Sequence, residues 1–287
     1  MIDSDVIASA GRVHRATNML HSMVYFVPEG DEEYVAAGLR PGRMGYFASR
    51  SAPMGAVGPE VVTATFYNFN PELVARHIPR AWTLVAPEQV LEARLRVADR
   101  ALRRLLGEEV IASRELAQAT ELLTHAALRC EVEGRALFAG HSGLAWPTAT
   151  HLRFWHAVTL LREYRGDGHI VALVQAQLSG VEALVTHTAT GRGFRVPAAK
   201  ALRMWSDEQW GAAQEGLRAR GLLAPDGTLT ATGTALRERI ERQTDELAAK
   251  PWEGVDLEAI DALVDYGKSL SRRIVAAGAF PDEVFAN

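Results

Sequence analysis

The chain has 287 residues, of which 48% are hydrophobic and 23% charged, and its formal net charge is −4. This composition excludes wholesale disorder, which requires low hydrophobicity and high net charge, and it excludes a protein that coats nucleic acid with its whole surface. No window approaches 18 uncharged apolar residues, and the single cysteine, Cys130, excludes an internal disulfide framework and a Cys-based zinc site.

The first predicted helix covers residues 5–26, where apolar side chains recur at helical spacing. Asp3 and Asp5 stand where a signal peptide would carry basic residues, so we expect a cytoplasmic protein without membrane contact. A polar stripe follows one face of this helix and consists of His14, Asn18, His21 and Tyr25. It is either part of a ligand site, with His21 as a binding residue, or the edge between a buried and a solvated face.

A stretch rich in glycine and proline, residues 38–59, is predicted to be irregular. It contains Tyr46, Ser49 and Arg50, and Tyr67 follows a short helix that we predict to begin at Pro59. Glycine-rich loops let the backbone approach a ligand closely, which makes Arg50 and Tyr67 candidate binding residues. The alternative is a loop with a structural role alone.

Three further helices begin with clear capping signals. Asn70-Pro71-Glu72 opens a helix that stops before Pro79, and Pro87-Glu88 opens a long one that ends at Gly107. Ser113 is predicted to cap a helix that runs to about Cys130.

A second polar group lies where we predict two helices to meet. One helix starts at Thr148 or Thr150 and runs to Tyr164, and Asp167 caps the next after a break at residues 166–168. Helix N-termini and paired arginines bind anions. The candidate ligand residues here are His156, Arg162, Arg165, Asp167 and His169. In the alternative interpretation Asp167 is a plain N-cap, and the arginines pair structurally with Glu163 and Glu182.

The C-terminal half carries a regular series of signals. Ser179 and Ser206 are predicted to cap helices. Residues 224–229 are predicted to form two short strands around the Asp226-Gly227 turn. A helix then runs towards Ala249, and a last one spans about residues 256–277.

This order of elements resembles the winged helix of MarR-type regulators over roughly residues 168–250. The residues that carry the resemblance are Leu217, residues 220–223, Asp226-Gly227, Leu229-Thr230 and Gly233. The resemblance implies a recognition helix that begins at residue 207, a two-stranded wing and pairing through terminal helices, hence a C2 homodimer.

The whole chain also resembles a little-studied actinobacterial family of helix-turn-helix proteins. The motifs that carry this second resemblance are residues 44–50, 65–71, 160–169, 221–223 and 244–252. It implies a fold and no particular activity.

Contact with DNA requires basic residues for phosphates and a helix that reads base edges. The candidate DNA-binding residues are Arg192, Arg195, Lys200, Arg203 and Gln209. Asp207 and Glu208 oppose DNA binding at the start of the third helix, and its connection to the second helix is longer than the usual turn. The basic residues either hold phosphates or form a solvated loop.

We therefore expect a mainly α fold, with an N-terminal helical region packed on a C-terminal winged helix-turn-helix that has a two-stranded wing. The expected regions are 1–150, helical and ligand-binding; 151–250, winged helix; and 251–287, a helix for packing or dimerisation.

The leading hypothesis is a ligand-responsive regulator that binds double-stranded DNA and a small anionic or aromatic molecule. The alternative is a small-molecule-binding protein or enzyme whose winged helix does not contact DNA, with His156 or His169 as a general base. We expect no cofactor, and no metal, because the nine histidines show no metal-ligand spacing.

Overall fold

The computed structural model describes residues 2–281, and α-helices dominate that part of the chain. The mainly α prediction is confirmed. In chain order the helices are α1 (Ser4–Ser22), α2 (Pro28–Ala36), α3 (Arg43–Ser51), α4 (Pro59–Phe66), α5 (Pro71–Ala75), α6 (Pro87–Ile111), α7 (Arg114–Ala127), α8 (Ala136–Ser142), α9 (Thr150–Gln175), α10 (Gly180–Thr188), α11 (Val196–Arg203), α12 (Asp207–Ala219), α13 (Ala231–Leu247) and α14 (Leu257–Ala276). Short 3-10 turns at Met23–Tyr25, Ala52–Met54, Arg80–Thr83 and Lys250–Trp252 connect some of them.

The chain forms two compact units, neither of which is continuous in sequence. The described part of unit 1 comprises residues 2–57, 77–168 and 245–280. Unit 2 comprises residues 58–76 and 169–244, together with residue 281. Helices α9 and α13 therefore each contribute residues to both units.

In unit 1 the first and last helices pack side by side. A Cβ at Gly267 would lie 3.3 Å from Ala16 Cβ, which is the close approach that this pairing allows. Ser271 donates its hydroxyl to the Ala16 carbonyl at 2.7 Å, and Arg12 pairs with Asp261 at 2.5 Å. Helix α14 thus belongs to the packed body of unit 1.

Helices begin where their capping residues predict. The side chains of Asn70, Ser113, Ser179 and Ser206 each accept a backbone N–H of the first turn that follows. These signals are local, because a short polar side chain satisfies the first-turn N–H groups that have no partner within the helix.

The stretch from residue 38 to 59 is more regular than predicted, because it contains α3. Gly42 and Gly55 have positive φ angles of 83° and 80°, and they lie on either side of α3 and the 3-10 turn that follows it. These glycines delimit a helix whose buried face includes Phe47 and Ala48. The predicted short helix at Pro59 is confirmed as α4.

The predicted helix break at residues 166–168 is wrong. Helix α9 runs without interruption through Gly166, Asp167 and Gly168. A Cβ at Gly168 would lie 2.9 Å from Arg135 Nη1 and 3.2 Å from Leu247 Cβ. The lack of a side chain at Gly168 therefore allows α9 to approach Leu247 of α13 and the Arg135 guanidinium closely. A sequence pattern cannot separate that role from helix breaking.

Unit 2 has its own apolar core, to which the end of α9 and helices α10 to α13 contribute. Leu217 and Ile240 are fully buried, and Trp210 is 5% exposed. The other buried members are Ala172, Leu173, Leu178, Ala183, Leu184, Val185, Ala199, Ala213, Leu222, Leu223 and Leu236.

The predicted two-stranded wing is also wrong. Between α12 and α13 the described chain has one isolated antiparallel bridge, which joins Leu223 and Leu229. The Thr230 hydroxyl already accepts from Gly233 N at 3.0 Å, at the start of α13. Pro225 has no N–H to donate to a ladder. The segment is therefore too short for two strands, and it forms a turn with a single bridge.

Within residues 2–281 no single helix is long and apolar enough to cross a bilayer. Helices α9 and α10 reach that length and hydropathy only as a pair, which is bent by 101°.

Candidate functional site

Unit 2 contains a helix, a three-residue turn and a second helix. Helix α11 ends at Arg203, Met204 takes a left-handed conformation (φ 57°, ψ 41°), and Ser206 caps α12. Asn70 holds this turn, because its backbone N–H donates to the Arg203 carbonyl and its amide donates to the Met204 carbonyl. The long connection expected before the third helix is thus wrong, since α11 occupies it.

Two of the predicted DNA-binding residues are exposed and unengaged. Arg192 precedes α11 by four residues and Arg195 is its N-cap residue. Neither side chain makes a hydrogen bond or ion pair within the described chain. Both guanidinium groups are therefore available to an external anion.

The other three predicted DNA-binding residues are used inside the unit. Lys200 pairs with Asp207. The guanidinium of Arg203 lies over the Phe69 ring at 4.1 Å and donates to the Asn68 side chain at 3.1 Å. Gln209 closes the capping box of α12 by accepting from Ser206 N at 3.1 Å.

The exposed surface of α12 is acidic. The Asp207 side chain is 94% exposed, and Glu208 and Glu215 are exposed as well. Arg218 is the basic residue nearest to them on this helix, and it pairs with Glu215 at 2.6 Å. The bases of a DNA groove would therefore meet carboxylates on this helix.

Unit 1 contains a buried polar group around Glu163 of α9, which we call the Glu163 cluster (His21, Arg50, Thr159, Arg162 and Glu163). Arg162 donates to Glu163 Oε2 at 2.5 Å, and Arg50 Nη2 lies 3.9 Å from the same oxygen. His21 Nε2 is 3.6 Å from Glu163 Oε1. His21 Nδ1 lies within hydrogen-bond distance of the Thr159 hydroxyl, at 3.0 Å.

The charges of the Glu163 cluster follow from burial and from the two arginines. Burial raises the pKa of Glu163, but Arg162 and Arg50 outweigh it and hold that pKa below its ordinary value. Burial lowers the pKa of His21 well below its usual range, although Glu163 opposes the shift. The cluster therefore contains one carboxylate, two guanidinium groups and a neutral imidazole at pH 7.

A second buried arginine, Arg94 of α6, lies near the cluster and is 2% exposed. It donates from Nη1 to the Ser49 carbonyl at 2.9 Å and from Nη2 to the Tyr25 hydroxyl at 3.0 Å. Its Nη1 is also 3.2 Å from His141 Nε2. Because His141 Nδ1 faces the Leu137 carbonyl at 3.0 Å, we assign the proton to Nδ1 and the acceptor role to Nε2. Burial lowers the pKa of His141 to about 3.

Asp167 caps a helix, but not the one predicted. Its Oδ2 accepts from the backbone N–H of Phe138, in the first turn of α8, at 2.9 Å. Burial raises the pKa of Asp167 to about 6, although the hydrogen bond from Phe138 opposes that shift. Asp167 thus stabilises α8 from a position inside α9.

The remaining predicted ligand residues divide into two sets. His156 is 4% exposed and belongs to the same part of unit 1 as Arg94. Arg165, in contrast, forms an ion pair with Asp245 at 2.8 Å. In unit 2, His169 lies 2.9 Å from the Thr244 hydroxyl and Tyr67 donates to the Leu178 carbonyl at 2.5 Å. The structure therefore brings His21, Arg50 and Arg162 together in unit 1. Arg165 lines a small pocket with Arg162 but pairs with Asp245, whereas His169 and Tyr67 belong to unit 2.

Sequence reasoning missed Glu163 as the centre of the cluster, and it missed Arg94 and His141 entirely. A usable signal existed for Arg94, which continues the buried row of α6 one turn after Val90 and one turn before Ala98. A charged residue on a row that is otherwise apolar indicates a buried charge with a role. His141 gave no such signal, because α8 itself was not predicted.

In the part of the chain that the structure describes, no group of three or more His, Cys, Asp or Glu side chains is arranged to hold a metal ion.

The α11–turn–α12 unit, with a capped second helix over an apolar core, defines a helix-turn-helix protein. The sequence pattern of a helix-turn-helix family matches residues 10–281, and the chain belongs to that family. Neither the curated proteins nor the solved structures include a match to this chain.

Proposed function

We propose that the protein is a transcriptional regulator that binds double-stranded DNA through α11 and α12. The observation that carries the proposal is the helix-turn-helix itself, with Arg192 and Arg195 exposed and unengaged just before its first helix. In this class the second helix enters the major groove while basic residues hold phosphates. Arg192 and Arg195 take the phosphate role here, and α12 reads the bases.

The acidic surface of α12 is suited to a helix that recognises cytosine bases. Carboxylates accept hydrogen bonds from the cytosine amino group in the major groove, and such contacts specify sequence without adding affinity for phosphate. Glu208, exposed in the first turn of α12, is the residue that we assign to this role. The regulator is therefore expected to bind with modest affinity and to prefer sites with cytosine in the contacted strand.

The test is selection of fragments from pooled genomic DNA at low salt, with wild-type protein and with Glu208→Ala. We expect the wild type to enrich a common sequence and the variant to lose its preference at one or two positions. Glu246→Ala, which removes an exposed carboxylate from unit 1, is the matched control and leaves the enriched sequence unchanged. If the wild type enriches nothing, the proposal is wrong.

A second candidate function has its own support. The exposed Glu208 of α12 repels a polyanion, and Arg218 of the same helix is already paired with Glu215. Both features favour a small-molecule-binding protein that uses its helix-turn-helix only for packing. Under this hypothesis the wild type retains no DNA fragment at any salt concentration, and the function consists of binding a small molecule in unit 1.

A further inference from the structure

A pocket of about 210 Å³ lies in unit 1 among α6, the first half of α9, and α8 with the loop after it. Half-buried apolar side chains line it, among them Leu91, Leu95 and Leu144. Two of the polar side chains that line it, Arg94 and His156, are in contrast buried. An apolar pocket with a few buried polar groups is the usual form of a small-molecule site.

Arg94 is a buried cation without a carboxylate partner. Three of its five N–H groups are accounted for by Ser49, Tyr25 and His141, which leaves Nε–H and one N–H of Nη2. Among the described residues it forms no ion pair, and its guanidinium lies over the Trp155 ring at 5.3 Å. A buried charge is stable only when it is paired or strongly hydrogen-bonded, so the remaining donors favour an anion.

His156 supplies a second polar group to the same pocket. Its Nε2 is buried and has no hydrogen-bond partner among the described residues. Its ring and that of Trp146 pack in a T-shaped arrangement with a centroid distance of 4.8 Å. Burial, with Arg94 nearby, lowers the pKa of His156 to about 4, so the imidazole is neutral at pH 7 and can make one hydrogen bond without adding charge.

We propose that this pocket binds a small organic monocarboxylate, with its carboxylate on Arg94 and its apolar body against Leu91 and Leu95. His156 completes the site with one hydrogen bond to the ligand. One guanidinium and a neutral imidazole match a single negative charge. Glu92, which is exposed and also lines the pocket, repels ligands that carry a second negative charge.

The size of the pocket limits the ligand. Drug-sized molecules occupy pockets of roughly 300–1,000 Å³, and this one is smaller. An aryl or short alkyl acid fits, whereas a nucleotide does not. The binding proposal stands by itself. Only its use as a switch for DNA binding rests on the proposed function.

The test is calorimetric titration of the purified full-length protein, in the absence of DNA, with benzoate, phenylacetate and hexanoate. Benzamide is the neutral analogue of benzoate, and inorganic phosphate is the anion without an apolar body. We expect at least one carboxylate to bind saturably at about 1 mM or below, and benzamide to bind at least about tenfold more weakly, because it lacks the charge-assisted contact.

Two kinds of variant locate the binding. Arg94→Gln removes the charge, but it also removes bonds that hold Ser49 and Tyr25, so its folding requires a separate check. Ala145→Trp fills the pocket from an exposed lining position and tests the site independently. Ser142→Trp, an exposed position three residues away that does not line the pocket, is the matched control.

Loss of carboxylate binding in Ala145→Trp, with binding retained in Ser142→Trp, supports the proposal. The proposal is overturned if no carboxylate binds up to about 10 mM, if benzamide binds as tightly as benzoate, or if Ala145→Trp binds like the wild type. Phosphate binding as tight as benzoate binding also overturns it, because the apolar body would then contribute nothing. None of these results depends on whether the protein binds DNA.

Discussion

Four buried side chains of unit 1 have charge states at neutral pH that depend on their surroundings. Burial keeps His21, His141 and His156 neutral and lowers the pKa of each. Asp167 shifts in the other direction, since burial raises its pKa to about 6. Each shift makes the stability of the fold depend on pH, because the unfolded chain binds protons with ordinary affinity.

We expect the free energy of unfolding to fall as the pH is lowered from about 6 to about 4. In that range pKa values of about 3 and about 4 keep His141 and His156 largely neutral when folded, whereas both are protonated when unfolded, so unfolding takes up two protons. The lowered pKa of His21 acts in the same direction. Asp167 is protonated when folded and ionised when unfolded, so it releases one. For His141, His156 and Asp167 the net uptake of about one proton corresponds to a loss of about 1.4 kcal/mol per pH unit, and His21 increases this loss. Urea unfolding at a series of pH values measures it.

His156→Gln tests how much one histidine contributes to the pH dependence of the free energy of unfolding. The variant has no imidazole at this position to protonate in the unfolded chain. The slope of its free energy of unfolding against pH should therefore be smaller than the wild-type slope by about 1.4 kcal/mol per pH unit. His125→Gln, at an exposed position, is the control and should keep the wild-type slope. Parallel curves for wild type and His156→Gln would show that His156 is charged in the folded protein.

Among the secondary-structure elements, the starts of helices could be predicted from neighbouring residues, whereas the packing of one helix against another could not. Ser113, Ser179 and Ser206 mark helix starts because each cap acts on the turn beside it. The helix break at Gly168 was predicted wrongly, because this glycine packs against Arg135, which lies 33 positions earlier in the chain. The prediction of a two-stranded wing was wrong for a related reason, because the segment between α12 and α13 has room for a single bridge.

The candidate site shows the same division. His21, Arg50 and Arg162 were predicted as polar residues at helical spacing or beside glycines, and they do meet in the Glu163 cluster. What joins them is a carboxylate that looks from the sequence like an ordinary surface partner. Its burial depends on three helices that pack around it, and no single segment contains that information.

Two glycines allow a direct test of the packing in unit 2. A Cβ at Gly233 in α13 would lie 2.1 Å from the Leu222 carbonyl oxygen, whereas one at Gly211 in α12 would meet nothing within 4 Å. Gly233→Ala should therefore cost about 1–3 kcal/mol, because the backbone next to the bridge must move. Gly211→Ala should stabilise by about 0.5–1 kcal/mol, because alanine is the better helix former.

The comparison is made by urea unfolding of both variants under one set of conditions. Equal effects of the two substitutions would contradict the close packing of α13 against the turn at Leu222.

At the scale of the whole molecule, charge limits how the protein can bind DNA. The described residues of unit 2 carry ten Arg or Lys and nine Asp or Glu, so the unit that contains the helix-turn-helix is nearly neutral. Long-range attraction to a polyanion is therefore weak, and affinity must come from a few phosphate contacts. Arg192 and Arg195, which are exposed just before the first helix of the helix-turn-helix, are the pair that we assign to these contacts.

DNA binding through Arg192 and Arg195 is tested most directly by the salt dependence of DNA binding, measured for the wild type and for the double variant Arg192→Ala/Arg195→Ala. Binding to an enriched fragment is measured at equilibrium between about 50 and about 200 mM salt. We expect the double variant to bind more weakly at every salt concentration. We also expect the slope of log K against log salt to be smaller by about 2 for each protein chain bound, since each phosphate contact contributes about 0.9. An unchanged slope, or no binding by the wild type at the lowest salt, would contradict it.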